Sequence, residues 1–193
     1  MNQIRMIALG ASAGGVGAIN QLLDLLPDSF RIPVVVVQHL PASATVDVNL
    51  IFGRRTKNRV AEATDKLPVE SGHIYFAPPA YHLLVESDGT LALSQDDPVK
   101  FSRPSIDVFF ESAARAYGKN LAGIILTGAN NDGAQGMKAI QQSGGLTIVQ
   151  DPKSAEVATM PEETLKVIRP DHVLDLPAIA KLMADLSEGG PRG

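Results

Sequence analysis

Apolar stretches of strand length alternate along this chain with segments whose apolar residues recur every three or four positions. Residues 4–9 (IRMIAL) predict a first strand. Residues 14–27 (GGVGAINQLLDLLP) predict a helix, with Val16, Ile19, Leu22, Leu23 and Leu26 on one stripe and Pro27 ending it. The β-branched run in 32–38 (IPVVVVQ) reads as a strand buried on both faces, and a helix is expected at 43–54. Further on, 105–120 form an amphipathic helix with Ser105 as N-cap and Gly118 as C-cap. The rest reads as a strand at 121–128 (LAGIILTG), a helix at 134–145, a strand at 146–150 (LTIVQ), a helix at 161–169, a short strand at 172–174 (HVL) and a helix at 177–187.

Residues 58–98 break this rhythm. Pro78-Pro79 is followed by two short alternating runs around Ser87-Asp88-Gly89, the pattern of a hairpin, so part of the sheet is expected to be antiparallel. Elsewhere the alternation of strand and helix implies an α/β fold: a single three-layer domain, mostly parallel sheet with helices on both faces and an antiparallel hairpin region. A chain of 193 residues fits one domain with a real core. Residues 1–188 are read as that domain and 189–193, small and polar, as a flexible tail.

Charge and composition remove classes of function without choosing one. A net charge of −4 and a pI near 5.5 argue against nucleic acid as the partner, since phosphate binding wants a basic face. Cysteine is absent, which excludes disulfides, thiolate zinc sites and a cysteine nucleophile. No apolar run reaches membrane-span length, and the N-terminus lacks the pattern of a signal peptide, so the cytoplasm is the expected location. The histidines show no helical metal-ligand spacing, so neither a metal nor a cofactor is expected. His73 and His82 read as surface or half-buried sheet residues and His172 as a strand start.

In open parallel sheets, ligands collect at the carboxyl ends of the strands. Ser12 follows the first predicted strand, His39 the second, and Asp132 the strand at 121–128. A hydroxyl, an imidazole and a carboxylate at one sheet edge are the set a serine hydrolase needs: the hydroxyl is a poor nucleophile until a base takes its proton, and the base needs an acid to hold its ring. Gly10-Ala11-Ser12-Ala13-Gly14 also matches the G-x-S-x-G pattern of a strained strand-to-helix elbow. Asp151, after the strand at 146–150, is an alternative acid. Asp107, early in a helix, has a plain dipole role. The rival reading is a nucleotide site, because GASAGGVG resembles the glycine-rich turn that cradles a pyrophosphate. Against it, the second strand ends in Gln38-His39 where a ribose-binding fold wants Asp or Glu, and no tyrosine has a lysine four residues later.

Taken together, ALGASAGG, VVVVQHLP, FAPPAYHLLVE, RPSIDVFFESAA, ILTGANNDGAQGMKAI and GGLTIVQDPKSAEVATMP resemble the catalytic domain of the chemotaxis-receptor protein-glutamate methylesterases (CheB-type). The resemblance covers nearly the whole chain. It implies a cofactor-free hydrolase that cleaves γ-glutamyl methyl esters on the cytoplasmic helices of methylated chemoreceptors, giving glutamate and methanol, with glutamine deamidation as a companion activity. It assigns Ser12 as nucleophile, His39 as base and Asp132, rather than Asp151, as acid. The oxyanion would fall to backbone N–H groups at Ala13 and Ala129. Arg54, Arg55 and Arg103 are candidates to meet acidic receptor helices. Two departures stand out. The family pattern T-G-M-G-x-D-G is here Thr127-Gly128-Ala129-Asn130-Asn131-Asp132-Gly133, which leaves open a binding module that kept the fold and lost turnover. Secondly, the receiver domain common in the family is expected to be absent from this chain, whose first motif begins about ten residues in.

Overall fold

A computed structural model describes residues 3–40 and 47–189. In chain order the elements are β1 (Met6–Ala11), α1 (Gly15–Leu25), β2 (Val34–Gln38), α2 (Val48–Phe52), β3 (Arg59–Glu62), β4 (Leu67–Pro68), β5 (His73–Phe76), β6 (His82–Val85), β7 (Thr90–Ser94), α3 (Ile106–Tyr117), β8 (Leu121–Ile125), α4 (Ala134–Gln142), β9 (Leu146–Gln150), α5 (Thr159–Val167), β10 (His172–Leu174) and α6 (Leu176–Ser187). Of the helix expected at 43–54, residues 43–46 lie outside the described residues. The remainder forms α2, whose first turn is capped by the Asp47 carboxylate. Residues 190–193 of the expected tail also lie outside them.

Seven strands form one sheet in the order β10-β9-β8-β1-β2-β5-β3, and every pairing in it is parallel. The hairpin around Ser87-Asp88-Gly89 is present as β6 and β7. It does not make part of the main sheet antiparallel, as expected from sequence, but belongs to a separate three-stranded sheet, β4-β7-β6. The strands that extend the main sheet from this region are β3 and β5. Each has only four residues, too short for a periodicity argument to separate them from the hairpin beside them.

Alternation along the strands divides the core in two. From β1, Ile7 and Leu9 face α1, α2 and α6, where Ile19, Leu22, Phe52, Ile179 and Met183 cover them. Met6 and Ala8 face the other way, toward Phe109 and Phe110 of α3, Met137 and Ile140 of α4 and Leu83 and Leu91 of the small sheet. Both faces are therefore apolar, which is why β1, β2 and β8 are buried at every residue.

On the second face α3 and α4 come unusually close at Gly136. A Cβ there would stand 2.5 Å from the Phe110 Cβ and 3.1 Å from the Asp107 backbone. Alanine's better helix propensity returns about 1 kcal/mol, while overpacking against backbone that cannot yield costs about 1–3 kcal/mol. Gly136→Ala is thus expected to lose about 1 kcal/mol net in urea denaturation; an unchanged or raised midpoint would contradict this packing.

Candidate active site

β1, β2 and β8 bring the candidate side chains to one edge. β1 lies between β2 and β8, with Ala11 in register with Gln38 and Gly10 with Ile125. The chain winds from β1 toward β2 on one side and returns through β8, β9 and β10 on the other, so the crevice at a topological switch point opens at this end. Ser12 and His39 leave adjacent strands side by side, at a strand spacing of about 4.8 Å. The His39 N–H donates to the Ala11 carbonyl and the Ser12 N–H to the Thr127 carbonyl, each at 3.0 Å.

The turn after β1 is held on both sides. Gln38 Nε2 donates to the carbonyls of Ser12 and His39, each at 2.9 Å. Gly15 makes this possible: a Cβ there would collide with Gln38 Oε1 and lie 2.8 Å from the Ala11 Cβ. From the opposite side the buried Thr127 hydroxyl donates to the Ala13 carbonyl at 2.9 Å. The elbow expected at Ser12 differs in one respect. Ser12 is not in the left-handed region; Gly14, the N-cap of α1, takes that conformation with φ 77°. The serine therefore does not carry the left-handed conformation of the turn; the glycine does.

His39 Nε2 donates to Asp132 Oδ2 at 2.9 Å. That oxygen also accepts the Ile106 N–H at 2.7 Å, while Oδ1 accepts the Ser105 hydroxyl at 2.9 Å and the Asp107 N–H at 3.0 Å. Each oxygen thus takes two donors, and the carboxylate is 1% exposed against 13% for the imidazole. Burial pushes the Asp132 carboxyl up, but the hydrogen bond from His39 and those from the backbone of Asp107 and Ile106 outweigh it and hold the group below the usual carboxylate range. The first two N–H groups of α3 end on this carboxylate, where the positive end of the helix dipole also favours the ionised form.

An ionised carboxylate can only accept, so the proton of the neutral imidazole sits on Nε2 and the bare acceptor is Nδ1. Asn130 Nδ2 lies 3.3 Å from it. Ser12, His39 and Asn130 line one cleft of about 400 Å³ with Phe101, Arg103 and Pro104, and Asp132 lies behind the imidazole. Among the described residues no hydrogen bond joins the Ser12 hydroxyl to His39. The amide N–H groups of Ala13 and Ala129 have no hydrogen-bond partner among the described residues, and both residues are exposed.

Other expectations resolve differently. Asp151 turns away into its own loop, accepting the Lys153 N–H. Asp107 does more than favour its own helix dipole: it is buried, its Oδ1 accepts N–H groups of Gly133 and Gly136 at the start of α4, and its Oδ2 pairs with Lys100 at 2.7 Å. His82 is not a surface residue. It is buried, and its Nδ1 accepts the Ser105 N–H at 3.1 Å, steadying the residue that donates to Asp132. The roles of Ser105 beyond capping, of His82 and of Thr127 were invisible in sequence, because each depends on a partner remote in the chain. Arg54 is exposed and Arg55 pairs with Asp24 at the surface, whereas Arg103 stands on the cleft wall. Among the described residues no cluster of potential metal ligands occurs. The nucleotide reading loses its phosphate position: the Glu156 carboxylate lies against Gly14, where a Cβ would be 2.9 Å from its Oε2, so an acid covers the helix start a pyrophosphate would need.

The profile of the CheB methylesterase family matches residues 7–183. The chain belongs to the CheB methylesterase family. A relative from Leptospira interrogans is 46% identical over 182 residues, covering 94% of each chain. The protein-glutamate methylesterase/protein-glutamine glutaminase of Hydrogenovibrio crunogenus is 42% identical over 91% of this chain, which spans 47% of that relative's length. In three dimensions the CheB methylesterase catalytic domain of Thermotoga maritima superposes with a TM-score of 0.90 at 29% identity, covering 96% of this chain and all of that one. The CheB fold accounts for the α/β architecture. Within it, Asn130 accommodates its departure from the family glycine without a positive φ, which belongs to other residues. No helix among the described residues is long and apolar enough to cross a membrane.

A carboxyl held below its unfolded-state value contributes stability that is fully present above that value, about pH 3.9, and is lost as pH falls through the folded value. Asp132→Asn offers one acceptor to four donors. It is expected to cost about 2–4 kcal/mol at pH 7, with the gap from wild type narrowing below pH 4 (about the carboxylate range). Denaturant titrations at both pH values check this; a gap independent of pH would contradict it.

Proposed function

We propose that this chain is a protein-glutamate methylesterase, with protein-glutamine deamidation as its companion activity, and that residues 1–188 are the catalytic unit. The observation that carries the reading is that His39, bonded to the buried Asp132 behind it, lines a cleft it shares with Ser12, in a member of the CheB family.

The His39–Asp132 contact supports an assignment of the atoms that move. Because Nε2 is committed to Asp132, Nδ1 is the base. Ser12 Oγ attacks the ester carbonyl as its proton passes to His39 Nδ1, and the buried carboxylate stabilises the imidazolium. The carbonyl oxygen becomes an oxyanion held by the N–H groups of Ala13 and Ala129, which are free to receive it. Collapse breaks the bond to the methoxy oxygen, which takes the proton from Nδ1 and leaves as methanol. Water then attacks the glutamyl-enzyme and gives its proton to Nδ1; the bond from the acyl carbon to Ser12 Oγ breaks, Oγ takes that proton back from Nδ1, and a free glutamate side chain leaves. With glutamine the leaving group is ammonia. The substrate is the methylated cytoplasmic helix of a chemoreceptor, so the protein works in the cytoplasm. Arg103 brings positive charge to the cleft wall, suited to acidic helices.

Methanol release from methylated receptor membranes tests this. Ser12→Ala and His39→Ala should each lose at least about 10³-fold in kcat, and the double variant little more, because the residues act as a unit. Retention of activity in Ser12→Ala would refute the assignment of the nucleophile.

A further inference from the structure

Asn130 has two anchored ends. Its Oδ1 accepts the Asp132 backbone N–H at 3.1 Å. An N–H can only donate, so this bond fixes which way the amide faces. The NH₂ group is thereby aimed at His39 Nδ1, 3.3 Å away. At the far side of the ring Nε2 is fixed to Asp132 Oδ2, so Nδ1 of the neutral imidazole presents a lone pair, and Asn130 donates into it. That lone pair is the one which, in the function proposed above, must take the proton of Ser12. The two donors compete for one acceptor. In the resting arrangement Asn130 holds it, and the Ser12 hydroxyl makes no bond to the ring among the described residues.

We propose that Asn130 is a positioning residue that acts as a resting-state latch on the base. Its amide fills the acceptor nitrogen of His39 and keeps Ser12 unactivated until a side chain entering the cleft displaces it. Asn130 lines that cleft, so an incoming ester reaches the amide directly. The inference rests on Ser12 and His39 acting as nucleophile and base. A neutral hydrogen bond at the long end of the normal range is modest, so releasing it should raise the reactivity of free enzyme about three- to tenfold.

The test compares wild type, Asn130→Gly and Asn130→Ala. Each is labelled with a serine-directed fluorophosphonate at neutral pH, with the labelled peptide mapped, and the histidine ring nitrogens are observed by ¹⁵N NMR. The latch predicts Ser12 labelling about three- to tenfold faster in both variants, and a downfield move of the His39 Nδ1 resonance as its hydrogen bond is lost. Equal or slower labelling at Ser12 overturns the latch while leaving the nucleophile in place. Labelling at a residue other than Ser12 condemns the catalytic assignment. If no protein labels, the resonance decides: an unmoved Nδ1 signal in both variants overturns the contact, and a moved one upholds it. Should one substitution fail to fold, the other carries both measurements.

Discussion

The carboxylate of Asp132 is the constraint on which the rest of the site depends. It is taken out of water almost completely, which would be costly for a lone charge. Four donors from two separate parts of the chain make it tolerable: the His39 ring and, from the start of α3, the Ser105 hydroxyl and the N–H groups of Ile106 and Asp107. Those same bonds determine the orientation of the imidazole, the tautomer its neutral form adopts and the nitrogen it turns toward the cleft. In the proposed function the nitrogen that acts as base thus follows from how a buried charge is satisfied.

A second carboxylate mirrors the first. Asp132 precedes α4 and receives the N-terminus of α3, while Asp107 in α3 receives the N-terminus of α4. One acid from α3 and one from the loop leading into α4 thus each terminate unpaired N–H groups at the start of the other helix. This exchange, with the close approach at Gly136, holds the loop after β8 against the sheet edge. Ser12 arrives at the same edge by another route: parallel register beside β2, and clamps from Gln38 and Thr127. Two rigid supports therefore meet across one cleft, as a reaction requiring fixed geometry demands.

Much of this was legible in the chain. The β-branched runs of β2 and the apolar run of β8 gave buried parallel strands, and the rule that ligands gather at carboxyl ends pointed to Ser12 and His39 while leaving Asp132 and Asp151 as alternative acids, between which only the family resemblance chose. Local signals ran out where partners are remote. Strands β3 and β5 join the main sheet through pairings with no short-range signature. A capping serine looks the same whether or not its hydroxyl also reaches a carboxylate 27 positions away. The glycines of GASAGG read equally as a phosphate cradle, and only the positions of Gln38 and Glu156 against them show that they serve close packing.

A crystal structure of the phosphonylated protein would show the roles of Ser12 and His39 in one experiment, since the adduct mimics the tetrahedral state. The expected result is phosphorus on Ser12 Oγ, His39 Nδ1 facing the adduct, and Nε2 still bonded to Asp132. Phosphorus on another side chain, or an imidazole that has turned to offer Nε2 while leaving Asp132, would contradict it.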